Sequence, residues 1–148
     1  MKIDKILVPV DFSDHSRRAL ETGAEFAKAF GATVHLLHCY QVPPVGVSPY
    51  GVVVPESFDR EVREAAARMA NEWREKLDAA GIKSEVSLSA GFPALAISEA
   101  AKELGVDLII MGTRGLAGFK HMVLGSVAER TLRTAPCPVL TVKDPDEV

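Results

Sequence analysis

Cysteine is scarce in this chain: two residues, Cys39 and Cys137, in 148. They form neither a CxxC pair nor a zinc-ligand pattern, which sets aside a dithiol redox centre and a cysteine-built metal site. Each lies in an apolar segment, so buried, reduced thiols are expected. A basic excess is missing too. Seventeen Lys and Arg stand against 20 Asp and Glu, a formal net charge of −3. That excludes the electrostatic footprint of a nucleic-acid binder. No stretch approaches the roughly 18 uninterrupted apolar residues of a membrane helix. The opening Met1-Lys2-Ile3-Asp4-Lys5 lacks the apolar core of a secretory signal. A cytoplasmic location, away from membrane and nucleic acid, is the expectation. Internal repeats and low-complexity tracts are absent. So are HExxH, clustered acidic pairs and the GxxxxGK[ST] loop, and a metal site built by protein alone is not expected.

What is present is an alternation of strand and helix patterns. With 47% apolar and 25% charged residues, the composition is that of an ordinary globular protein. The length predicts one domain over 1–148, able to bury a core without disulfides or metal. Ile6–Val10 is a short, fully apolar strand. Asp11 and Ser13 offer cap oxygens for a helix with Leu20, Gly23, Ala24, Ala27 and Phe30 on one face. Gly31 closes it. Thr33–Cys39 reads as the second strand. Residues 41–56, rich in Pro and Gly, form one long irregular stretch of the kind that is functional or mobile. A helix is predicted from Ser57 to about Ala80, with Val62, Ala66, Met69, Trp73, Leu77 and Ala80 as its stripe. Glu85–Ser89 alternates and fits a sheet edge. Pro93 suits a first helical position, and the helix runs over Ala94–Leu104 to a stop at Gly105. Val106–Met111, a helix to about Thr134, and Val139–Val142 complete the pattern, ahead of a polar, frayed tail from Lys143. Five strands separated by helices imply a parallel α/β sheet with helices on both faces.

The most informative run is MGTRGLAGFKHMVLGS at 111–126, between the fourth strand and the last helix. Gly112, Gly115 and the pair Gly125-Ser126 are spaced Gly-x2-Gly-x9-Gly-Ser. Glycines let backbone N–H groups approach a ligand and permit positive φ. A helix starting near Ser126 adds unpaired N–H donors and a positive dipole end. Together these make an anion site suited to phosphate, the alternative being glycines that serve tight turns. In parallel sheets ligands bind beyond the carboxyl ends of the strands. That rule gathers Pro9, Val10, Asp11, Cys39 and Tyr40 with the glycine segment. Asp11 could accept hydrogen bonds from ribose hydroxyls, cap the first helix, or both. Arg114, Lys120 and His121 could approach phosphate oxygens or be solvated. His35 and His38, three apart on a strand, point to opposite faces and are poor joint ligands. His15 is expected to be exposed. No general base is identifiable that would make Ser126 a nucleophile, so no catalytic residue is assigned.

The segments ILVPVDFSDHSRRAL, LLHCY, GFPALAI, DLIIMGTRGLAG and LGSVAERTLRTAPCPVLTV resemble, in order, the signatures of the universal stress protein family. The glycine spacing is similar to that of its nucleotide-binding branch. The resemblance implies an adenine nucleotide alpha hydrolase-like α/β fold with strand order 3-2-1-4-5. It implies ATP with Mg2+ or Mn2+ in the crevice. The adenine would lie near Pro9 and near Cys39, where relatives usually carry an aliphatic residue, and Val10 belongs to the same cofactor-binding set. Asp11 would hold the ribose. The phosphates would lie on the segment after Met111, namely Gly112, Thr113, Arg114, Gly115, Leu116, Ala117 and Gly118, and on Gly125, Ser126 and Val127. A homodimer would pair through 139–142, an apolar sheet edge that must be covered. The implied role is an ATP-binding regulatory or stress protein with an unidentified protein partner. The alternative is a slow ATPase or phosphotransferase in the same crevice. A flavodoxin-like receiver domain is disfavoured by the glycine spacing.

Overall fold

Apolar runs with no polar face build the middle of the sheet. In β1 (Lys5–Pro9) Ile6, Leu7 and Val8 are fully buried, and in β4 (Leu108–Gly112) so are Ile109 and Ile110. The computed structural model describes residues 1–41, 56–115 and 124–144. With β2 (Thr33–Tyr40), β3 (Ser84–Ala90) and β5 (Val139–Val142) these strands form one sheet of order β3-β2-β1-β4-β5. Every pairing in it is parallel. The alternating β3 lies at an edge, as its pattern predicts.

The helices divide between the two faces. One core joins Ile6, Val8, Val34, Leu36 and Ile110 to Ala19, Leu20 and Ala27 of α1 (Asp14–Phe30) and Leu77 of α2 (Glu56–Ala79). A second core joins Leu7, Leu37, Ile109 and Met111 to Ile97 and Ala101 of α3 (Pro93–Leu104) and Ala128 of α4 (Ser126–Thr134). Gly23 lets α1 settle on β1, since a Cβ there would stand 2.9 Å from Val8 Cγ2. No described helix is long and apolar enough to cross a membrane.

Several expectations need correction. Phe30, assigned to the buried face of α1, is half exposed at the helix end. In α2 the inner stripe runs through Ala66, Ala70 and Leu77, while Met69 and Ala80 face outward. From Ala66 the four-residue step stays on the core side and the three-residue step to Met69 does not. Strand β4 starts later than Val106. There the chain leaves α3 through left-handed Gly105, and the Val106 N–H donates to the Ala101 carbonyl. Asp107 also serves the junction, its Oδ2 accepting the Asp4 and Lys5 N–H groups. Those bonds hold its carboxyl below the usual carboxylate range. Cys39 and Cys137 are free thiols but only half buried. Most of the 41–56 stretch, together with Leu116, Ala117, Gly118, Lys120 and His121, lies outside the described residues.

Candidate functional site

The site begins where β1 stops. The ladder to β2 ends at Pro9 and Leu37, and the Val10 N–H still donates to the Leu37 carbonyl at 2.8 Å. Beyond it the chain must turn into α1. Asp11 Oδ1 accepts the Ser13 N–H at 3.0 Å, and the Ser13 hydroxyl accepts the Ser16 N–H at 3.2 Å. Ser13 is therefore the cap of α1, and Asp11 holds the turn in front of it. Between them Phe12 adopts a left-handed backbone, φ 65°. A bulky residue avoids that region unless its surroundings impose it. The Phe12 ring lies 4.5 Å from that of His38 and meets Trp73 edge-on at 5.2 Å.

The second wall is the glycine segment. None of Gly112, Gly115 and Gly125 uses positive φ. Their reason is close approach. A Cβ at Gly112 would stand 2.8 Å from the His15 Cβ. His15 is accordingly half buried against the end of β4, not exposed as expected. A Cβ at Gly115 would collide with Asp11 Oδ2. The carboxylate at the end of β1 thus lies directly against the backbone after β4. Gly125 donates its N–H to the Thr113 carbonyl at 2.6 Å, which ties the two ends of the segment together.

Gly125 then caps α4 with extended backbone, and as a glycine it offers the first N–H groups of that helix no side-chain acceptor of its own. Thr113 is buried, and its hydroxyl has no hydrogen-bond partner among the described residues. A buried hydroxyl without a partner is costly, on the order of 1–3 kcal/mol, and a ligand atom would relieve it.

These parts enclose a cleft of about 480 Å³. That is within the range, roughly 300–1,000 Å³, of small-molecule sites. Pro9, Val10, Asp11 and Cys39 line it from the sheet, and Met111, Gly112, Thr113, Arg114 and Gly115 from the end of β4. Gly125, Ser126 and Val127 line it from α4. Tyr40 does not; it is buried. Leu37, Ile97 and Pro93 add apolar wall, and Ser16, His38 and Gln41 add polar groups. Burial raises the Cys39 thiol to about 11, so it meets the cleft as a neutral, weakly polar group.

Phe12 and His38 went unread in the sequence. No residue pattern announces a left-handed phenylalanine. From the sequence, His38 presents itself only as a candidate metal ligand. Its place one residue past the last ladder partner of β1 was the available signal. His35, as expected, serves the opposite face, buried with Nδ1 3.2 Å from Glu85 Oε2.

The sequence profile described as the Universal stress protein family matches residues 2–143. Universal stress protein MJ0531 of Methanocaldococcus jannaschii is 39% identical over 147 residues, 95% of this chain and 82% of that protein. The structure of hypothetical protein MJ0577 superposes with a TM-score of 0.85 at 29% identity, covering 97% of this chain and 98% of that one. A universal stress protein in complex with cAMP gives a TM-score of 0.67 at 27% identity, covering 96% and 98%. The Archaeoglobus fulgidus protein in complex with dAMP gives 0.64 at 25% identity, covering 97% and 100%.

Proposed function

This chain belongs to the universal stress protein family, and we propose that it is an ATP-binding member acting as a regulatory module in the cytoplasm. One observation carries the reading: the Asp11 carboxylate against the Gly115 backbone faces the uncapped start of α4 across a single cleft. A carboxylate across from a helix N-terminus suits a ligand with hydroxyls at one point and anionic oxygens at another. Relatives solved with cAMP and dAMP support an adenine nucleotide as that ligand.

In this reading the adenine lies on Pro9, Cys39 and the apolar wall of Leu37, Ile97 and Met111. The ribose hydroxyls donate to Asp11. The phosphates take backbone N–H groups of the 112–118 segment and of Gly125, Ser126 and Val127, with Arg114 nearby. Among the described residues no three His, Cys, Asp or Glu side chains gather as metal ligands. Mg2+ or Mn2+ would therefore be held chiefly by phosphate oxygens and water, a usual arrangement for Mg2+. Nucleotide state would be read by a protein partner. The half-exposed edge strand Val139–Val142 would be covered by the same strand of a second copy.

Small molecules released by denaturing the purified protein are identified by mass spectrometry, and the stripped protein is titrated with ATP. Bound ATP or ADP, or saturable binding that Asp11→Asn weakens about tenfold, is expected. A protein that carries no nucleotide and shows no saturable titration with ATP would sink the reading.

A further inference from the structure

We propose that His38 is a positioning residue for this cleft, holding the Val10–Phe12 turn that presents the Asp11 carboxylate. The inference rests on the nucleotide reading above. The Val10 carbonyl lies one residue past the β1 ladder, and the His38 ring meets it with Nδ1 at 2.8 Å. A carbonyl only accepts, so Nδ1 carries a proton and donates it to Val10. Both backbone groups of Val10 are then fixed by β2, its N–H by the Leu37 carbonyl and its C=O by His38.

The same ring packs on Phe12, at 4.5 Å between centroids and tilted by 42°. Trp73 also meets Phe12, at 5.2 Å and nearly perpendicular. These two ring contacts brace a phenylalanine in the left-handed region, a conformation that persists only where the surroundings over-determine it. Asp11 stands between the two residues that His38 holds. With Val10 and Phe12 fixed, little freedom is left to its backbone, and its Oδ1 is taken by the Ser13 N–H. Oδ2 is thereby aimed at the Gly115 backbone. His38 acts on the ribose-binding group through both of its neighbours.

This predicts a specific pattern. The full-length protein is titrated calorimetrically with ATP and with 2′,3′-dideoxy-ATP, which lacks the hydroxyls that Asp11 would bind. His38→Ala is expected to weaken ATP roughly five- to tenfold, the size of one hydrogen bond's net effect. His38→Asn, which keeps a donor near the Nδ1 position, is expected to recover most of that loss. His38→Gln, which moves the donor outward, is not. Neither His38→Ala nor Asp11→Asn should weaken dideoxy-ATP appreciably, and their losses on ATP should not add in the double variant.

Equal loss on both nucleotides would mean that His38 touches the ligand directly or that the fold has collapsed, and would overturn the proposal. So would additive losses, or ATP binding by His38→Ala at wild-type strength. A wild type that binds neither nucleotide would remove the nucleotide reading itself, an outcome distinct from these. Amide hydrogen exchange of Asp11, Phe12 and Ser13 gives a ligand-free measure. It should speed up in His38→Ala and not in His38→Asn, and unchanged protection in both would refute the positioning role.

Discussion

Gly115 is the residue at which the two walls of the cleft touch. A methyl group there would overlap the Asp11 carboxylate, while its φ lies outside the left-handed region. Gly115→Ala is therefore expected to keep the fold and lose nucleotide. ATP affinity should fall more than about tenfold, with the melting temperature changed by only a few degrees. Calorimetric titration beside a thermal melt checks both halves. Gly125→Ala should be milder, because its Cβ would stand 3.1 Å from one carbonyl oxygen, a distance that small shifts relieve. The positions of Gly112, Gly115 and Gly125 were legible as spacing in the sequence, but the physical reason for them was not. Spacing cannot distinguish a glycine needed for positive φ from one needed for contact. Among the described residues other than glycine, the one with a left-handed backbone, Phe12, has the wrong residue type to be noticed.

At the scale of elements, α1 and α4, which both start beside the cleft, differ in their first turn. Helix α1 has a side-chain cap in Ser13, which is buried with Ser16, and α4 has none. Ser13→Ala should lower stability by about 1 kcal/mol, seen as an earlier midpoint in urea unfolding. In the proposed reading the backbone donors of α4, by contrast, serve the nucleotide phosphates. Helix ends were readable because Gly31, Pro93 and Gly105 have single, strong conformational preferences. The inner face of α2 was less so. Met69 and Ala70 both fit an apolar stripe, and only packing against the sheet selects the smaller one.

For the whole molecule, pH and assembly are the relevant variables. Burial holds His35 below the ordinary histidine range, with Glu85 pulling it back up and Lys5 pushing it further down. The unfolded chain takes up that proton near pH 6.5, before the folded one does. Stability from a neutral His35 is thus complete above about pH 6.5 and is lost as the pH falls through that value. Melting temperatures between about pH 7 and pH 5.5 should decline. Glu85→Gln should steepen the decline, because it removes the group that raises the histidine, and His35→Leu should flatten it. Sheet order and the placement of β3 at an edge followed from alternation and family resemblance, but the pairing of His35 with Glu85 is a register property that no single strand encodes. Assembly is the other variable. If the half-exposed β5 edge pairs two copies, Leu140→Asp should yield monomers in sedimentation at micromolar concentration while the wild type sediments as a dimer.

The two cores, one on each side of the sheet, share no residue. Side chains on the two faces meet only through the strand backbone they share. Leu20→Ala and Ile97→Ala should then lower stability additively, within about 0.5 kcal/mol. Over evolutionary time each face is free to drift by its own rules, and a designer could rebuild one helix pair while leaving the other untouched. The strand ends that line the cleft are where both histories have to agree.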